Sequence, residues 1–142
     1  MILPTQQDLA KLPHHFQVRY ALYAATKVAH LTTLPEAATC LKVVGDYLDG
    51  KASKEDCRVA ATAAYSATAA TAAYAAYAAF HAAYAAHAAN AAVHATYAAA
   101  DAAGATRRDT TALVADLRRY YEELLNFDAI SESYLLGASD AQ

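Results

Sequence analysis

The side chains that could do chemistry in this chain fall into two runs at three- and four-residue spacing. One is Tyr74, Tyr77, His81 and Tyr84; the other is Phe80, His87, Asn90, His94, Tyr97 and Asp101. That spacing lays each run along one side of an α-helix. Imidazole, carboxamide, phenol and carboxylate are groups that can catalyse, ligate a metal or recognise a partner. His87 and His94 stand seven residues apart, so about 10 Å separates them along a helix axis. A single metal ion calls for the shorter i, i+4 pairing. A second helix would have to bring ligands, and the nearest sources, His14, His15 and His30, lie in no recognisable motif. The sequence has no phosphate-binding loop, no GxSxG elbow, no HExxH and no paired-cysteine zinc spacing. The expectation is a protein that is not an enzyme and uses neither metal nor cofactor. Tyr84, His87, Asn90, His94, Tyr97 and Asp101 are its candidate partner- or ligand-binding residues, set against the plainer alternative that they are structural or surface polar groups.

Composition limits the rest. The chain has 142 residues, enough for one domain with one core. It contains 41 alanines and 11 tyrosines but only 26 Leu, Ile, Val and Phe together, so its core must come from close backbone approach and tyrosine rings. A net charge of −3 without a Lys/Arg run argues against nucleic acid; Arg107, Arg108, Arg118 and Arg119 come nearest to a patch. Cys40 and Cys57 have no motif spacing, and residues 1–10 lack both a basic start and a long apolar run, which fits free thiols in a cytoplasm. Between 59 and 100 there is no Asp, Glu, Lys or Arg. That length could span a bilayer, but alanine brings little transfer energy and His81, His87, Asn90 and His94 oppose insertion, so no membrane span is expected.

The elements that must position these groups read as helices throughout. Residues 1–13 form an N-terminal arm closed by Pro13, residues 14–125 an alanine-rich helical domain, and 126–142 a C-terminal tail with one short helix, SESYLL. The first firm helix covers about 14–31. Thr33 is expected to cap a second, with Pro35 and Glu36 in its first turn and Gly50 beyond its end. Ser53 and Asp56 resemble a capping box that starts a third. Alanine then favours helix without interruption, yet a single helix over 53–103 would be about 77 Å long against a small-domain scale of about 30 Å. The tract is therefore expected to divide, at 66–71 and near Asn90. Ala75, Ala79, Ala82, Ala86 and Ala89 share one side and form a seam for a neighbouring helix. A last helix capped by Asp109 or Thr110 turns Leu113, Leu117, Tyr120, Tyr121 and Leu124 inward and Arg118, Arg119, Glu122 and Glu123 to water. The fold class expected is all-α, an antiparallel helical bundle with tightly packed alanine-rich helices.

The order of these pieces carries a resemblance. RYALYAATKVAH, then CLKVVGDYLDGKAS, then KEDCRVAA, then alanine pairs punctuated by Tyr and His, and a closing ALVADLRRYYEELL resemble the alanine-rich immunity proteins of bacterial toxin systems, the immunity-protein-five-like group. The likeness covers roughly residues 16–125. Within it HAAYAAHAAN is similar to the group's His-rich alanine segment and places His81, His87 and Asn90 at the matching positions. Members of the group often have Gly or Pro breaks inside the alanine region; this chain has none. The resemblance implies an all-α protein that neutralises a protein partner, such as a toxin, by stoichiometric binding. Two further readings come from other classes: a small-molecule-binding or ligand-sequestering bundle whose polar stripe lines a pocket, and a structural homo-oligomer held together by the alanine seam.

Overall fold

The computed structural model describes residues 2–68, 74–88, 90–105 and 110–140, with the backbone alone at 68, 105 and 129–140. All regular structure in them is helical: α1 (Gln6–Leu9), α2 (His14–Val28) followed by a 3₁₀ turn (Ala29–Leu31), α3 (Pro35–Leu48), α4 (Lys54–Thr68), α5 (Tyr74–Tyr84), α6 (Ala91–Ala105) and α7 (Thr111–Asp140). The fold is all-α. Helix α5 lies at its centre, with α2, α3, α4 and α6 all packed on it; α7 closes the outside of α2 and α6, and α1 sits on α6.

The alanine tract does divide. α4 ends at Thr68 and α5 begins at Tyr74, with residues 69–73 outside the described part; the second division falls between Tyr84 and Ala91. Neither glycine nor proline makes the second turn. The backbone tightens instead, with His87 N donating to Tyr84 O at 2.9 Å and Ala91 N donating to Ala88 O at 3.1 Å. Alanine propensity alone would continue the helix; reversing direction lets α5 and α6 bury one small-residue face against another.

Ala75, Ala79, Ala82 and Ala86 are buried, as a seam requires, and Ala89 lies outside the described residues. The seam is broader than one stripe. Ala76, Ala78, Ala83 and Ala85 are buried too, so α5 is enclosed on nearly every side and only its Tyr, Phe and His positions reach outward. The space left between the alanine faces is filled by a few large side chains. Tyr20 on α2 has no exposed surface, and its hydroxyl meets Thr96 Oγ1 on α6 at 3.1 Å, while Thr96 also reaches Ala92 O at 3.0 Å. A buried phenol without that partner would forfeit its solvation. Burial pushes the Tyr20 pKa up to about 12. Cys40 and Cys57 are free and buried, and Cys40 Sγ donates to Ala60 O at 3.1 Å.

The ends of the helices follow local chemistry. Gly50 takes φ 78°, the left-handed conformation that costs an L side chain energy, and allows Lys51 N to bond Asp46 O at 2.7 Å and Gly50 N to bond Tyr47 O at 3.1 Å, a Schellman closure of α3. Ser53 and Asp56 form the reciprocal capping box of α4, at 2.9 and 3.1 Å. The start of α3 differs from expectation. Its N-cap is Leu34 and not Thr33; Pro35 at the first helical position already lacks one of the orphan N–H groups, and it is Thr32 whose hydroxyl accepts from Leu34 N at 3.2 Å.

Residues 5–12 and the first half of α7 join the body. Leu9 and Leu12 are buried in the core, and Asp8 both completes a capping box with Thr5 and pairs with Arg118 Nη1 at 3.0 Å. Arg118 is therefore half-buried rather than simply facing water, whereas Arg119, Glu122 and Glu123 are exposed. Leu117, Tyr121 and Leu124 turn inward, and α7 runs on through the region read as a tail to Asp140. Asp109 lies outside the described residues. Tyr23 of α2 stacks on Tyr120 of α7 at 3.9 Å and donates to Asp116 at 2.9 Å, and Lys27 pairs with the same carboxylate at 2.8 Å. Lys27 first, then Arg119 and Tyr23, hold the Asp116 pKa down to about 2.

Two outcomes follow from this packing. Ala82→Leu, at a position with no exposed surface, costs about 1–3 kcal/mol through overpacking, and Ala112→Leu on the exposed first turn of α7 costs about 0.5 kcal/mol or less; urea unfolding of the two variants measures both. Ser53→Ala removes the side-chain half of the α4 cap and lowers stability by about 1 kcal/mol in the same assay.

Candidate functional site

Folding α5, the turn and α6 back on one another changes the geometry of the polar runs. Tyr84 ends α5, His87 and Asn90 lie in the turn, and His94, Tyr97 and Asp101 follow on α6. The six are all exposed, but they do not form a single straight helical stripe: the reversal replaces the regular spacing between His87 and His94. What joins the two halves is His81, whose ring lies 5.3 Å from that of His94.

A ribbon of rings results. Tyr65 of α4 meets Phe80 of α5 at 5.2 Å, and Phe80 stacks on Tyr84 at 5.7 Å and leans on His81 at 4.7 Å. Tyr84 continues to His87 at 6.4 Å, and His94 continues to Tyr97 edge-on, also at 6.4 Å. Centroid spacings of this size are those at which aromatic pairs attract beyond their burial. Three of these rings are large and open to solvent: Tyr65 is 56% exposed, Tyr84 41% and Tyr97 49%. Asp101 lies one turn past Tyr97 on the same helix side, and Asn90 caps the turn region beside α6, where its carbonyl accepts from His94 N at 3.4 Å.

Tyr65 lies outside both runs, and Phe80 and His81, although on them, are not among the six candidate residues. Each sits in the same charge-free run, but Tyr65 is on another helix and His81 on the other stripe, so their convergence depends on the antiparallel order of α4, α5 and α6. The usable sequence signal was the charge-free run itself, which marks the whole face rather than one stripe.

The electrostatics differ along the ribbon. Burial, then the neighbouring His94, lowers the His81 pKa to about 4, and its Nδ1 is buried without a hydrogen-bond partner. The ring is thus a neutral wedge between helices. His87 is tied down differently: its Nε2 donates to the Lys54 carbonyl at the start of α4, 2.5 Å away. Among the described residues no group of three or more His, Cys, Asp or Glu is placed to hold a metal ion, and no helix is long and apolar enough to cross a membrane. Two surface clefts, one of 310 Å³ between α2 and α7 around Phe16, Tyr120 and Phe127, another of 440 Å³ between α3 and α4, contain none of the six candidate residues.

Because the folded His81 pKa lies below the value of about 6.5 for an unfolded histidine, the unfolded chain binds the extra proton first. Stability from this group is complete above pH 6.5 and is lost as pH falls towards 4. Thermal melts at about pH 7.5 and 5 should show a drop that is smaller in His81→Gln, and the His81 ring resonances should remain those of a neutral imidazole throughout that range. Comparison with protein-family models, with curated proteins and with solved structures finds no match to this chain.

Proposed function

We propose that this chain is a non-catalytic helical binding protein, immunity-like, that neutralises a protein partner by stoichiometric association across the α4–α5–α6 ring face, and that it acts in the cytoplasm without nucleic acid or membrane. The observation that carries the reading is the ribbon of Tyr65, Phe80, Tyr84, His81, His94 and Tyr97: contiguous, open to solvent at three tyrosines, and set in a run with no Asp, Glu, Lys or Arg from 59 to 100. Aromatic enrichment with depletion of charge is the compositional mark of an interface centre. Tyrosine gives large contact area with only two side-chain torsions to freeze, and the helices beneath hold the rings in place before binding. Asn90 and Asp101 lie at the rim, where a polar group stays solvated.

The other readings have less behind them. The polar residues lie on the outer surface, not around an enclosed space, which is where a ligand-sequestering bundle would need them. The alanines that could join chains are already covered within one chain. Free, buried cysteines accord with a reducing compartment.

The test uses the product of the adjoining reading frame as the first partner to try, purified and titrated calorimetrically. A 1:1 or symmetric complex is expected. Tyr84→Ala together with Tyr97→Ala should weaken it by about 30-fold or more while leaving the melting temperature close to the parent, since both positions are exposed and alanine suits a helix. Unchanged affinity in that variant would move the binding face elsewhere, first to the charged side of α7.

A further inference from the structure

Two clefts along the outside of α2 share a pair of residues, and that pair gives the larger one a chemistry. The larger, 310 Å³, lies between α2 and α7 and is lined by Phe16, Arg19, Tyr120, Glu123, Leu124 and Phe127. The smaller, 210 Å³, continues along α2 towards the end of α3, with Leu22, Tyr23 and Leu48 as its apolar wall. Arg19 and Tyr120 line both, so a guanidinium and a phenol stand at the junction.

Packing sets the ring walls. Tyr120 is held by its stack on Tyr23 at 3.9 Å, and Phe16 meets Phe127 at 5.7 Å and 56° between planes. Phe127 is nevertheless 60% exposed, an apolar ring that lines the cleft and remains open to water. The polar groups are unequally engaged. Glu123, the one carboxylate among the lining residues, is bound by Arg119 at 2.6 Å, and Asp116, one turn before Tyr120, is shared by Lys27, Arg119 and Tyr23. Asp49 and Asp128, next in sequence to Leu48 and Phe127, line neither cleft. Among the described residues neither the exposed Arg19 guanidinium nor the Tyr120 hydroxyl has a hydrogen-bond or ion-pair partner.

Apolar walls with a few convergent polar groups are the pattern of a small-molecule site. The arginine fork matches a carboxylate, and ring walls match a ring. The volume is at the lower end of the range of about 300–1,000 Å³ for such sites, room for one ring and a short acid arm but not for an α-helix about 10 Å across.

We infer that the α2–α7 cleft binds a small aromatic monocarboxylate, with its ring among Phe16, Leu124 and Phe127 and its carboxylate on Arg19 and the Tyr120 hydroxyl. The site stands on α2 and α7, on helices other than the α4, α5 and α6 that carry the ring ribbon, and does not depend on the role proposed for that ribbon. Glu123 opposes the anion, and Arg119, which binds Glu123, limits that opposition.

Hydrocinnamate and its neutral amide, titrated separately into the isotope-labelled full chain near neutral pH and followed by NMR, test the site. The acid is expected to move the signals of Phe16, Arg19, Tyr120 and Phe127 and to bind about tenfold more tightly than the amide, the difference that one charge-assisted pair supplies. Arg19→Gln, an exposed change, brings acid and amide to the same affinity; Glu123→Gln widens the difference, and Phe127→Ala weakens both ligands alike. Circular dichroism checks that each variant is folded. No movement of these signals at millimolar acid overturns the inference. So does equal binding of acid and amide by the parent, or a preference for the acid that survives Arg19→Gln. An equal response to acetate makes the cleft a plain anion contact, and a doubled mass in sedimentation that disappears in Phe127→Ala assigns it to a second copy of this chain; either result also overturns the inference.

Discussion

Close approach of helix backbones around α5 is the constraint on which the rest of the molecule depends. A buried methyl group supplies about 0.8 kcal/mol of transfer free energy, against about 1.5–3 kcal/mol for a large aliphatic side chain. An alanine core must therefore recover stability by density, and it can do so only if helices approach at the short end of the 8–10 Å range. Ala78, Ala82, Ala83, Ala95 and Ala99 have no exposed surface at all, on two antiparallel helices. The same tightness makes the core intolerant. Space for a tyrosine exists only at places such as Tyr20, where the hydroxyl has Thr96 to meet.

That arrangement sorts chemistry by location. The interior helices carry no charge between 59 and 100, so ion pairs concentrate on the outer layer, where Asp116 gathers Lys27, Tyr23 and Arg119, and Asp8 ties the first turn of chain to Arg118. These contacts fix α7 and α1 to the bundle without placing charge against alanine faces. The larger rings of α5 have nowhere to go inside and emerge at its open edge, beside Tyr65 from α4 and His94 and Tyr97 from α6. A surface rich in rigid rings and free of charge is thus a direct consequence of how this core is packed. The recognition role proposed for it would build on a feature that the packing already requires.

One ring on that face differs from its neighbours: His81 is wedged neutral beneath them, with its Nδ1 buried. It stands on a helix whose position is set by the core, so no mobile loop is needed to place it.

Much of the local structure was legible in the sequence because it depends on neighbours in the chain. Ser53 with Asp56, Gly50 after α3 and the inward run of Leu117, Tyr121 and Leu124 act over one or two turns, where side chain and backbone meet regardless of fold. The need for the alanine tract to break followed from its length alone. The sequence could not decide how the halves lie afterwards. Alanine is equally content in any helical register, so nothing local distinguishes a stripe along one helix from rings on three antiparallel ones, and His81 joins His94 only because α5 and α6 fold together. Leu9 and Leu12, in what read as an arm, are buried for the same reason: α6 and α7 leave a place for them. Propensity and caps, being short-range, were settled by the chain itself; the ribbon of rings, the contact of His87 with Lys54 and the docking of the first residues depend on distances between segments far apart in sequence, which only tertiary packing decides.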